Sequence, residues 1–201
     1  MLKDDNVLKE IIIDAEKSFI GGWILPDLTI CDDLINFFEN NPNSRIGEVN
    51  YNDRSIVVKE QKDSIDLPLT PYYSITQPYL DALQVVVEEY KKTYEWANVT
   101  SPWQVEAVNL QKYNPGGAYF GWHTERTGGG RVAGNRHLVF MTYLNDITDD
   151  GETEFFYQKI KVKPQKGLTL IWPVDWTHTH RGRPSLTQTK YIATGWFRFA
   201  D

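Results

Sequence analysis

His123 and Glu125 stand two residues apart in the stretch Gly121-Trp122-His123-Thr124-Glu125. Two more histidines, His178 and His180, follow about 55 residues downstream. Side chains at i and i+2 of an extended segment leave the same face, so His123 and Glu125 can reach one point. Two imidazoles and one carboxylate are a facial donor set for a first-row metal such as iron(II), with open positions left for further ligands. His123, Glu125 and one downstream histidine are therefore the candidate metal ligands. On residue types alone His178 and His180 compete, because an extended segment would put both on one face.

Such a set needs distant strands brought side by side, and the rest of the chain is read for them. Phe19 to Leu25 reads as a first strand, broken by Gly21-Gly22. Leu28, Cys31, Leu34, Ile35 and Phe38 follow helical spacing and predict a helix over 27–40, with Asp27 or Thr29 as its cap. The stretch from Ser44 to Pro71 is irregular, with a strand expected at Ser55–Glu60. A long helix is expected within 73–96, carrying Tyr79, Leu80, Leu83, Val86, Val87, Tyr90 and Tyr94 on one side and Pro78 in its first turn. After Pro102 the texture changes to short Val-, Tyr-, Phe-, Trp- and Thr-rich runs broken by Gly, Pro, Asn and Asp. These predict strands near 104–113, 119–125, 136–144, 153–157, 159–163, 167–172, 178–181 and 189–199. Several short strands at regular spacing point to a sandwich or barrel. The expected organisation is a single domain, with residues 1–102 as a helical support region and 103–201 as the β core.

The chain has 201 residues, enough to bury a sizeable core, and a net charge of −6. That charge argues against a nucleic-acid partner bound without sequence preference. Cys31 is the single cysteine, so no intrachain disulfide exists and a reducing, cytoplasmic location is expected. No signal-peptide core and no membrane-spanning apolar run are seen. The composition leaves the oligomeric state open.

From Tyr113 to Phe199 the chain resembles the iron(II)- and 2-oxoglutarate-dependent dioxygenases, in particular the prolyl 4-hydroxylase-like group. The matching residues are Tyr113-Asn114-Pro115-Gly116-Gly117, His123-Thr124-Glu125, Arg136, Thr142-Tyr143-Leu144-Asn145-Asp146 and Gly151-Glu152-Thr153-Glu154-Phe155. Pro164-Gln165-Lys166-Gly167, His180-Arg181-Gly182-Arg183-Pro184 and Lys190-Tyr191-Ile192-Ala193-Thr194-Gly195-Trp196 complete the series. The resemblance implies a double-stranded β-helix, or jelly roll, with helices packed on one outer face. It implies Fe(II), 2-oxoglutarate and O2 as cofactor and co-substrates, with ascorbate as a reductant. The implied activity is hydroxylation of an unactivated C–H, coupled to conversion of 2-oxoglutarate to succinate and carbon dioxide. Lys190 matches the cation that pairs with the far carboxylate of 2-oxoglutarate, and Tyr143 and Tyr113 match tyrosines of the same pocket. Lys190 follows His180 by ten residues, which selects His180 over His178 as the third ligand. Thr194 and Trp196 share a strand face with Lys190 and are expected to finish the wall. The family usually has aspartate where this chain has Glu125. Glutamate is one methylene longer, so its carboxylate must fold back or the backbone must shift.

Other readings of these residues exist. Lys190 alone fits an exposed strand lysine, and Tyr113 and Tyr143 alone fit core aromatics with bonded hydroxyls. His137 reads as structural. Gly128-Gly129-Gly130-Arg131-Val132-Ala133-Gly134 loosely resembles a dinucleotide loop, but it lacks the flanking strand and helix such a loop needs. It reads as a loop at the mouth of the site or as plain surface. Arg126, Arg131, Arg181 and Arg183 either gather near that mouth or scatter over the surface. The implied substrate is a peptidyl proline, with a free amino acid or another small molecule as the alternative. A catalytically silent jelly roll that binds or senses a metal is a further alternative. A nucleic-acid demethylase of the same superfamily is disfavoured, because no further arginine pattern follows His180.

Overall fold

The computed structural model describes residues 8–13, 18–51, 54–69, 73–98, 103–126 and 131–200. In chain order the elements are β1 (Gly21–Ile24), α1 (Thr29–Glu39), β2 (Arg45–Ile46), β3 (Val49–Tyr51), β4 (Arg54–Ile56), β5 (Ile65–Leu69) and α2 (Thr76–Thr93). There follow β6 (Trp103–Tyr113), α3 (Arg131–Gly134), β7 (Arg136–Tyr143), β8 (Thr153–Phe155), β9 (Ile160–Val162) and β10 (Leu168–Pro173). β11 (His180–Gly182) and β12 (Lys190–Phe199) end the described fold. All pairings are antiparallel. A seven-stranded sheet runs β1-β10-β7-β12-β6-β5-β2 and faces a three-stranded sheet, β11-β8-β9. This is the expected jelly roll.

Alternation along β7 and β10 divides the core. Leu138, Phe140 and Ile171 face one side, where they pack with Leu34 and Phe38 of α1 and Leu83, Val86 and Tyr90 of α2. Val139, Met141, Tyr143, Leu168, Leu170 and Trp172 face the other, with Phe155 and Val162 of the small sheet. Both faces of these central strands are buried, so they read as nearly unbroken apolar runs. A chain of buried hydroxyls pins α2 to the sheet: Tyr79 to Thr142 at 3.0 Å and Thr142 to Thr169 at 2.8 Å. The Asp27 carboxylate accepts the Thr29 amide at 2.9 Å, satisfying one of the orphan donors at the start of α1.

Gly195 is needed where β12 crosses the middle of the sheet. A Cβ there would lie 1.9 Å from the Ala107 carbonyl oxygen and 2.5 Å from the Phe140 ring. The obstacle is partly backbone and cannot swing away. Gly195→Ala is expected to destabilise the protein by at least about 2 kcal/mol, lowering Tm by roughly 5 °C in a thermal melt. An unchanged Tm would show that β12 can shift at no cost.

Several expectations change. The N-terminal half supplies β1, β2 and β5 to the large sheet, so the helical half and β half are not separate layers. β5 was hidden because Ile65-Asp-Leu-Pro-Leu carries Asp66 and Pro68. Pro68 is tolerated because β2 pairs only with Ile65 and Asp66, leaving an edge beside it. The strand expected at 55–60 is shorter and earlier, as β4. Residues 119–125 form no strand. They make single bridges, Lys62 with Tyr119 and His123 with His180. The strand expected at 178–181 begins at His180, because Trp176–His178 is a 3-10 turn. The glycines at 128–130 and the proposed boundary at 102 lie outside the described residues. No described helix is long and apolar enough to cross a membrane.

Candidate active site

The bridge between His123 and His180 is what brings the distant segments together. Each residue's amide donates to the other's carbonyl at 3.0 Å. Thr124 Oγ1 donates to the Val174 carbonyl at 2.7 Å, and the Glu125 amide donates to the same carbonyl at 3.2 Å. This ties the irregular 121–126 segment to the end of β10. His123, Glu125 and His180 offer ligand atoms that all lie within 4.8 Å of one another.

The ring orientations are fixed by the backbone. Nδ1 of His123 lies 2.9 Å from the Gly121 carbonyl and Nδ1 of His180 lies 2.9 Å from the His178 carbonyl. A carbonyl only accepts, so each Nδ1 carries a hydrogen, which leaves Nε2 of each ring as the atom that can offer a lone pair inward to a metal. Both Nε2 atoms are 3.4 Å from Glu125 Oε1. Burial, together with the nearby His123, lowers the His180 pKa and favours its neutral form. Burial works to raise the Glu125 carboxyl, but His123 and His180 in their charged, Nε2-protonated form outweigh it and hold it well below the usual range; a metal ion would replace those protons as the positive partner. Neutral imidazoles beside an ionised carboxylate are the protonation states a metal ion requires. The donor set fits iron(II).

His178 does something else. Within its 3-10 turn the side chain points away, with Nε2 2.9 Å from the Ser18 carbonyl. The expectation that His178 and His180 share a face fails because the turn breaks the alternation. His137 is structural, with Nε2 2.8 Å from the Ala97 carbonyl and its ring against Trp103 and Phe199.

The cluster lies in the wall of a cavity of about 1070 Å³. Lys190, Thr194 and Trp196 all line it, as alternation along β12 requires, and so do Tyr113 and Tyr143. Lys190 is 4% exposed, and Nζ donates to the Gly151 carbonyl at 2.8 Å and the Arg183 carbonyl at 3.1 Å. One of its three hydrogens remains for a ligand. Burial pushes its pKa down to about 8 against the opposing charge of Glu152. The tyrosine hydroxyls are already bonded. Tyr143 has two acceptors for its single proton, Thr153 Oγ1 at 2.6 Å and the Val162 carbonyl at 3.1 Å. Tyr113 donates to Gln111 Oε1 at 2.6 Å. Either hydroxyl must change partner before it can donate to 2-oxoglutarate.

Other contacts of the site had no signal in spacing. Tyr119 stacks on His123 at 3.8 Å and 14°. Trp172 and Phe155 pack their rings on His180. Arg136 grips Glu106 and lies 3.6 Å over the Trp196 ring, and Trp196 Nε1 donates to Glu125 Oε2 at 2.9 Å. The described arginines gather only in part: Arg181 and Arg183 both reach Glu154, and Arg181 lines the cavity, while Arg126 pairs with Asp175.

The sequence profile of the 2OG-Fe(II) oxygenase superfamily matches residues 108–198, a span that holds the three clustered residues and Lys190. A probable prolyl 4-hydroxylase 9 of Arabidopsis thaliana is 28% identical over 120 residues, 48% of this chain and 42% of that protein. Residues 108–198 thus resemble a 2OG-Fe(II) oxygenase domain, and the matching relative is a probable prolyl 4-hydroxylase. The chain matches less than half of the Arabidopsis relative's length. Solved structures share the oxygenase fold. The viral collagen prolyl hydroxylase of Paramecium bursaria Chlorella virus-1, in its 2OG complex, superposes with a TM-score of 0.67 at 19% identity. That superposition covers 92% of this chain and 98% of the viral one. A Pseudomonas putida prolyl-4-hydroxylase gives 0.67 at 15% identity, covering 92% and 95%. A Trichoplax adhaerens prolyl hydroxylase, solved with a hypoxia inducible factor peptide fragment, gives 0.68 at 13%, covering 91% and 84%.

Proposed function

We propose that this chain is an iron(II)- and 2-oxoglutarate-dependent dioxygenase that hydroxylates a prolyl residue of a peptide or protein. The observation that carries the reading is the convergence of two inward-facing Nε2 atoms and one carboxylate on a cavity that also holds a buried lysine. A silent metal-binding barrel has no need of such a lysine. The catalytic residues are His123, Glu125 and His180, which would hold the metal, with Lys190 pairing with the far carboxylate of 2-oxoglutarate.

When bound, iron(II) supplies the activation of O2 that couples 2-oxoglutarate breakdown to hydroxylation. The chain does the rest. Tyr119, Phe155 and Trp172 cover the histidine rings and keep water off them. Tyr113, Met141 and Ile192 give the 2-oxoglutarate pocket an apolar lining, in which the Lys190 charge is felt more strongly than in water. A volume near 1070 Å³ exceeds the need of 2-oxoglutarate alone and leaves room for a substrate segment. In this reading residues 103–201 are the catalytic core and 1–102 its support. Ascorbate serves as reductant, and the buried free thiol of Cys31 accords with the cytoplasm.

The peptide substrate is favoured by the relatives, which are named as prolyl hydroxylases, one of them solved with a peptide. The test is succinate release with proline-containing peptides and with free amino acids, followed by mass spectrometry of the product. Peptide-dependent succinate with a 16 Da product shift is expected. Turnover with free amino acids alone would replace the peptide by a small-molecule substrate.

A further inference from the structure

The two oxygens of Glu125 have different partners. Oε1 lies 3.4 Å from both Nε2 atoms, whereas Oε2 accepts from Trp196 Nε1 at 2.9 Å and lies 3.9 Å from Arg136 NH1. We propose that Trp196 and Arg136 are positioning residues that hold Glu125 to a single metal-binding oxygen, Oε1. This rests on the reading of His123, Glu125 and His180 as iron ligands, and it accounts for a glutamate where the group usually has aspartate.

Glutamate has one more rotatable bond than aspartate, and its carboxylate can turn both oxygens to a metal. A two-oxygen grip would fill one of the positions the facial set must leave open. The structure opposes this at both ends of the residue. Arg136 NH1 donates to the Glu125 backbone carbonyl at 3.1 Å and fixes the main chain. The same guanidinium is clamped to Glu106 by contacts of 2.8, 3.1 and 3.2 Å. Its flat face lies 3.6 Å over the Trp196 ring and sets the direction of the indole N–H. A hydrogen bond to an ionised acceptor in a largely buried site is among the stronger kinds, so Oε2 is held where it is. Glu106 thus orients Arg136, Arg136 orients Trp196, and Trp196 orients the ligand.

The test uses Co(II) as the probe in wild type, Trp196→Phe, Glu125→Asp and the double variant. Trp196→Phe keeps a smaller ring under Arg136 and removes the donor. It is expected to bind Co(II) within about tenfold of wild type, the second carboxylate oxygen offsetting the lost outer partner, with an altered d–d spectrum because that oxygen takes a further position on the metal. Its affinity for 2-oxoglutarate falls about tenfold, because an open position is filled. In the Glu125→Asp background the shorter side chain does not span to Trp196, so Trp196→Phe changes neither readout. An unchanged spectrum in Trp196→Phe overturns the proposal, as does an equal change in both backgrounds. Should Trp196→Phe fail to fold, a crystal structure of the Co(II)-loaded wild type decides: one Glu125 oxygen on the metal supports the proposal and two overturn it. Failure of the wild type to bind Co(II) overturns the iron-ligand reading and this proposal with it, whereas binding through two oxygens overturns this proposal alone.

Discussion

His180→Ala is expected to abolish iron(II) binding, and His178→Ala to leave it within about threefold of wild type. The histidines are two residues apart, yet their rings face opposite ways. His180 turns Nε2 to Glu125 Oε1 at 3.4 Å, and His178 turns its own to the Ser18 carbonyl at 2.9 Å. Loss of an outer partner of a metal ligand typically costs about 10–100-fold in metal affinity, so loss of a ligand itself should exceed about 100-fold. His178 helps through its carbonyl, which accepts from His180 Nδ1. Alanine keeps that carbonyl. What His178→Ala loses are two hydrogen bonds, to the Ser18 carbonyl and the Thr177 hydroxyl, each worth about 1 kcal/mol of stability. Anaerobic titration with iron(II), or with Co(II) as a stable substitute, measures both variants. The reverse ranking would move the third ligand to His178.

Lys190→Ala is expected to weaken 2-oxoglutarate binding at least about tenfold while leaving metal affinity nearly unchanged. A hydrogen bond between charged groups contributes about 1.5–3 kcal/mol, and each 1.4 kcal/mol is about tenfold. Removing Lys190 also leaves the carboxylate buried without its cation, which adds to the loss. The pH dependence has a definite sign. Lys190 binds a carboxylate in its charged form, and burial lowers its pKa in the ligand-free protein to about 8. Below that pH the charge is present and affinity is flat. Above it, binding must take up a proton, so affinity falls as pH rises, by up to about tenfold per unit. Lys190→Ala should remove this slope. Tyr143→Phe should cost less, because the Tyr143 hydroxyl already bonds Thr153 and the Val162 carbonyl. A Lys190→Ala protein with wild-type affinity would place the 2-oxoglutarate carboxylate elsewhere.

What the sequence made legible is what periodicity and motif order carry. The apolar spacing of α1 and α2 and the alternation on β6, β7, β10 and β12 were readable because each spans enough residues to repeat. The ordered motif series joined His123, Glu125, His180 and Lys190 into one set. β2 has two residues and shows no period at all, and β5 carries an aspartate and a proline that contradict strand propensity. The extended segment at 119–125 looked like a strand because Tyr119, Phe120 and Trp122 have strand chemistry, but it meets its neighbours only through single bridges. The 3-10 turn at 176–178 rests on local hydrogen bonds that no pattern announces. The contact of Trp196 with Glu125 joins residues 71 apart in sequence, and that of Arg136 with Glu106 joins residues 30 apart. Such partners are chosen by tertiary packing, so spacing could place Trp196 on the cavity wall but could not say what its N–H meets.

The most direct test of the central claim is titration of 2-oxoglutarate into the anaerobic iron(II) protein, followed by visible absorption. Chelation of iron(II) by the keto acid gives a charge-transfer band that neither component shows alone. The account predicts that this band appears in wild type and saturates at one equivalent of 2-oxoglutarate. It predicts that His180→Ala shows no band, and that Lys190→Ala reaches the same band only at concentrations about tenfold higher or more. Absence of the band in wild type, with no measurable 2-oxoglutarate affinity, would contradict the dioxygenase reading and leave a barrel that binds a metal without using it.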